Sequence, residues 1–130
     1  MCRLSIAILV SLALAGCGSV AAATADSKNP AHCVAAINHT NYWLRKSDNS
    51  ELVLNGLARA VFELDKIRAS GASLEKAKAQ AEALTQSLQD PEKMNALALE
   101  CLTAQDRDPQ FQKELPRLLA IVRANPQLAE

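Results

Sequence analysis

The sequence predicts an all-α fold, a small antiparallel bundle of four to five helices stapled by one disulfide. Three observations carry this expectation. After residue 30, apolar residues recur three or four apart, which is the helical period. Three of these stretches open on a cap-proline pair, Asn29-Pro30, Asp90-Pro91 and Asp108-Pro109, where a side-chain acceptor precedes a residue that has no N–H to satisfy. Aromatic residues make up only 3% of the chain, and β-branched residues are few beside alanine and leucine. That composition favours helix over sheet.

Asn29-Pro30 opens a first helix expected to run to about Lys46, with Cys33, Val34, Ile37 and Leu44 on its inner stripe. Ser47 to Asn49 break it. The spacing of Val53, Leu54, Leu57, Val61, Leu64 and Ile67 predicts a second helix over residues 50–69, ended by Gly71. Ser73 caps a third, whose seam of Leu74, Ala77, Ala81, Leu84 and Leu88 leaves Glu75, Lys76, Lys78, Gln80 and Glu82 facing outward. Asp90-Pro91-Glu92 starts a fourth with Met94, Leu97, Ala98, Cys101 and Leu102 inside. In the last segment Phe111, Leu115, Leu118, Leu119 and Val122 keep helical spacing across Pro116. A proline there removes a donor and crowds the preceding turn, so the expectation is a kink, or a helix to Leu115 followed by another to about Ala124. Asn125-Pro126 stops it, leaving residues 126–130 as a tail. Connections this short suit antiparallel neighbours.

Ahead of this body, residues 30–125, lies an address. Met1, Cys2 and Arg3 give a short n-region, and the 11 uncharged residues Leu4 to Leu14 have the length of a signal-peptide h-region. As a helix they rise about 16 Å, roughly half the hydrocarbon thickness of a bilayer, too short to span it. The motif Leu14-Ala15-Gly16-Cys17 resembles the lipobox of bacterial lipoproteins. The resemblance implies a signal peptide over residues 1–16, Cys17 as a lipidated first residue, and a flexible tether over 17–29. Gly18, rather than aspartate, implies the outer membrane as destination. A competing A-x-A site, Ala23-Thr24-Ala25, would instead release a soluble periplasmic protein starting at Asp26. Both routes export the chain.

Cysteine arithmetic follows from export. Of 4 cysteines, Cys2 leaves with the signal and Cys17 is lipidated or removed, so the body keeps Cys33 and Cys101. In an oxidising compartment such a pair is expected to form a disulfide. Closing a 68-residue separation, it restricts the unfolded chain by an amount worth about 4 kcal/mol.

Roughly 105 residues remain after processing at Asp26, enough for one core. The 14 basic and 14 acidic residues are interspersed, which gives no basic face for nucleic acid. His32 and His39 stand seven apart, about 10 Å along a helix axis, too far for one metal ion. No serine sits in a nucleophile elbow, and an oxidised Cys33 beside His32 is no nucleophile. The sequence therefore predicts no enzyme, no metal site and no cofactor.

One cluster is unusual for a helix surface: Asn38, His39, Asn41, Tyr42 and Trp43. Aromatics with polar tips carry binding energy at interfaces, which makes these five the candidate partner surface. In size, export signal and the placement of Ala31-His32-Cys33 early and Cys101-Leu102 late, the chain is similar to immunity proteins that neutralise secreted amidase toxins. Its size and single disulfide also resemble acid-stress chaperones of the periplasm. The expected function is a non-enzymatic envelope protein that binds a protein partner, either immunity-type or accessory. The alternatives are a carrier of a small hydrophobic ligand and an acid-stress chaperone.

Overall fold

Each expected start became a helix because its cap is satisfied. The computed structural model describes residues 24–129 and the side chains of 24–127. It shows five α-helices in this span: α1 Pro30–Leu44, α2 Ser50–Ala69, α3 Leu74–Ser87, α4 Pro91–Asp106 and α5 Pro109–Ala124, with 3-10 turns at Arg45–Ser47 and Pro126–Ala129. No strand occurs among the described residues. The leader and Cys17 lie outside them, whereas the bond between Ala25 and Asp26 lies within them. The side-chain oxygens of Asn29, Asp90 and Asp108 each accept the N–H two residues on at 2.9 Å, and Asn49 and Ser73 accept the N–H three residues on at 3.2 and 3.3 Å. Such caps supply partners for amides that have none within the helix, each worth about 1 kcal/mol. Gly71, at φ 79°, ends α2 in a conformation that a Cβ would oppose.

Helix α1 is the hub. It packs on α2, α3 and α4, while α5 lies mainly on α2. Cys33 and Cys101 form the disulfide between α1 and α4, with Cα atoms 5.7 Å apart, inside a cluster with Ala36, Ile37, Leu97 and Ala98. A second cluster joins α2 to α5 through Val53, Leu57, Leu118 and Val122 and through Phe62 against Phe111, edge to face at 5.1 Å. Fully burying a side chain of this size contributes roughly 1.5–3 kcal/mol.

Polar atoms stitch α2 to α4. Gln105, 2% exposed, donates to the Arg59 carbonyl at 3.0 Å and to the Glu63 carboxylate at 2.6 Å. Lys66 pairs with the other Glu63 oxygen at 2.9 Å. Arg59 bonds Gln105 and Asp106 and lies over the Phe111 ring at 4.8 Å. The buried Glu63 carboxylate thus has a hydrogen bond on one oxygen and the Lys66 charge beside the other, the kind of compensation an interior charge requires.

Three expectations need correction. Helix α1 stops at Leu44, and Arg45–Ser47 tighten into a 3-10 turn before Asp48 turns left-handed at φ 61°. Helix α5 does not split at Pro116; it is continuous from Pro109 to Ala124. Pro116 and Gln112 both face solvent, so the carbonyl that the proline leaves without a donor sits in water, while Phe111, Leu118 and Val122 hold the helix to α2. In α3, Leu74 is 42% exposed rather than inside. That helix has one main neighbour, α1, so only Ala77 and Leu84 become fully buried.

Candidate functional site

The five residues of the candidate surface are consecutive or nearly so on α1, yet helical geometry points them three ways. Asn41 turns inward, 1% exposed, and lies against α2 at Gly56. A Cβ built at Gly56 would overlap the Asn41 amide, so glycine is what lets the carboxamide enter. Neither Asn41 amide atom finds a hydrogen bond among the described residues, a desolvation penalty of about 1–3 kcal/mol. Asn41 therefore leaves the candidate surface and joins the α1–α2 interface.

Asn38 and His39 turn sideways. Both line a groove bounded by α1, the last turns of α2, one flank of α3 and Met94 of α4. Asn38 is exposed and His39 half-buried, and the His39 Nε2 is enclosed without a hydrogen-bond partner among the described residues.

Tyr42 and Trp43 point outward at the end of α1, 51% and 57% exposed. Their rings meet edge to face at 5.2 Å, an arrangement that aligns the positive edge of one with the negative face of the other. Lys46, one turn on, places its Nζ 4.9 Å from the Tyr42 ring centre, within cation–π range. The pair is thus braced by local contacts in a defined geometry. Its exposure is selective, because the other two aromatics, Phe62 and Phe111, are 3% and 0% exposed. Leu52, at the start of α2, adds a third large apolar side chain near this turn at 49% exposure. Periodicity gave no signal for Leu52, which lies off the inner stripe of α2.

At the opposite end of α1, His32 is buried and its Nδ1 accepts the backbone N–H of Asp26 at 3.2 Å. Burial holds the imidazole below its ordinary pKa, partly countered by the Asp26 carboxylate. The two histidines thus occupy separate environments. Among the described residues, no group of three or more His, Cys, Asp or Glu side chains is arranged to hold a metal ion. No described helix is long and apolar enough to cross a membrane.

Fold and surface together define a disulfide-stapled all-helical bundle that displays an aromatic pair at one end. No family model, curated protein or solved structure matches the chain.

Proposed function

We propose that this chain is an exported, non-enzymatic protein of the bacterial cell envelope that binds a protein partner, immunity-type or accessory, through the Tyr42–Trp43 end of α1. The observation that carries the reading is the exposure of that pair in a chain whose remaining aromatics are buried. Tyrosine and tryptophan anchor interfaces because they bury large apolar area at low entropic cost while keeping a polar tip.

The lipobox around Cys17 and the disulfide between α1 and α4 support the address, since disulfides persist in oxidising compartments. Geometry adds a reason for the surface to lie where it does. The described chain enters at the Pro30 end of α1, and a 15-residue helix is about 22 Å long. A domain held by an N-terminal lipid on Cys17 would thus carry Tyr42 and Trp43 at the end of α1 away from its point of attachment, where a periplasmic partner can reach them. Cleavage after Ala25 gives the same surface on a soluble periplasmic protein.

Two measurements test this. Intact mass of protein expressed with its own leader should show a di- or triacylated Cys17; an unmodified start at Asp26 would replace the lipoprotein reading with the soluble one. A pull-down from native envelope fractions should enrich a partner that a Tyr42→Ala/Trp43→Ala variant loses. Equal recovery by the variant would remove this surface from the proposal.

A further inference from the structure

The groove that Asn38 and His39 line has features that the aromatic end does not explain. Its volume is about 900 Å3, within the range of roughly 300–1,000 Å3 typical of small-molecule sites. Its two ends differ. Ala31, Ile67 and Ala77 pack together at one end, while Ile37, Leu84 and Met94 pack together toward the other. Helix α3 therefore runs parallel to α1, and the groove follows both from the Ala31 end to the His39 end. Between these ends lie the half-buried Ala35 of α1 and Ala81 of α3, with Leu64 of α2 toward the Ala31 end and the exposed Lys78 and Glu82 along the α3 side.

The polar groups gather at the far end, where Asn38 and His39 of α1 meet Thr85 and Gln86 of α3. All four are amide, imidazole or hydroxyl groups, and one of their atoms, His39 Nε2, is enclosed without a partner among the described residues. The charged side chains of the lining already have partners: Arg68 pairs with Asp65 at 3.1 Å, and Lys78 with Glu82 at 3.9 Å. These two basic and two acidic groups balance in number, so the groove carries no net charge that favours a charged head. The width is limited as well. Helices α1 and α3 are in direct contact, and α3 is seated on the core at both Ala77 and Leu84. A further helix, about 10–12 Å across with its side chains, needs a wider trough.

We propose that this groove binds the hydrocarbon of a single-chain amphiphile with an uncharged, hydrogen-bonding head, of which a monoacylglycerol is the simplest member. The chain lies along Ala35, Leu64 and Ala81. The head sits at Asn38, His39, Thr85 and Gln86, where a hydroxyl group pairs with the His39 imidazole after a small turn of its ring. This site is separate from the aromatic pair and stands or falls independently of it.

The test uses the protein expressed with its own leader and purified with its disulfide intact. It is titrated with 1-monopalmitoylglycerol below its aggregation concentration and followed by native mass spectrometry and calorimetry. One molecule should bind per chain. Ala81→Leu, which fills a half-buried lining position, should abolish binding, and Ala35→Leu on the facing wall should do the same; urea midpoints near that of the parent show that each variant is folded. His39→Phe should weaken binding by up to about tenfold, the loss of one hydrogen bond. Palmitate, with the same chain and a carboxylate head, should bind more weakly than the glyceride. Trp43→Ala should bind as the parent does. Absence of bound glyceride, binding that survives both leucine substitutions in folded protein, or equal or tighter binding of palmitate would each overturn the proposal.

Discussion

Replacing both Cys33 and Cys101 by alanine should lower the stability of the domain by about 4–5 kcal/mol, a large share of the 5–15 kcal/mol typical of a single domain. The main contribution comes from the unfolded chain. Releasing a crosslink across a 68-residue separation restores loop entropy worth about 4 kcal/mol. A smaller contribution comes from the core. The two cysteines are 2% and 1% exposed among Ala36, Ile37, Leu97 and Ala98, so losing the sulfurs leaves small voids worth roughly 1 kcal/mol more. Equilibrium urea unfolding followed by circular dichroism measures the change. With an m-value of about 1–2 kcal/mol/M, the midpoint should fall by roughly 2–5 M. The same burial predicts that a reductant attacks the native disulfide only as fast as the chain opens. A loss below about 1 kcal/mol, or rapid reduction of the folded protein, would refute the reasoning.

Further predictions concern the interior and its response to acid. Gly56→Ala should destabilise by about 1–3 kcal/mol through overpacking against Asn41, and Asn41→Ala should relieve it, giving a favourable coupling in a double-mutant cycle; additive effects would show that the two do not meet. Gln105→Leu removes the amide that donates to Glu63 at 2.6 Å and should cost about 1.5–3 kcal/mol in urea unfolding, whereas a neutral result would mean that Lys66 alone suffices. Burial lowers the folded pKa of His32, so below about pH 6.5 the unfolded chain takes up a proton that the fold resists. Stability attached to His32 is therefore present above that pH and lost as pH falls through the lower, folded value. His32→Gln should flatten this part of the stability–pH curve, and an unchanged curve would assign it to other groups.

Helix starts were legible because their signals are local. A cap and the amide it serves lie two or three residues apart, so Asn29, Ser73, Asp90 and Asp108 announce their helices without reference to the rest of the fold. Continuation through Pro116 was harder to read, since it depends on which face of α5 meets α2. The buried polar residues were not legible at all. Gln105 enters the core because Arg59 and Glu63, more than forty positions earlier, meet its amide, and Asn41 does so because Gly56 has no side chain. Composition marked Asn38–Trp43 as unusual, but only the packing of α1 separates its inward amide from the groove residues and from the outward ring pair. The groove draws on four helices, and Leu74, expected inside, lies at its edge. Periodicity within one helix carries no record of that juxtaposition.

The most direct test of partner binding places a photo-crosslinking phenylalanine analogue at position 43 and, separately, at position 95, an exposed site on α4, in protein expressed with its own leader in its native host. Irradiation should yield a discrete adduct with one envelope protein from position 43 and none from position 95. The same adduct from both positions, or none from position 43, would contradict the assignment of Tyr42 and Trp43 as the surface through which this protein acts.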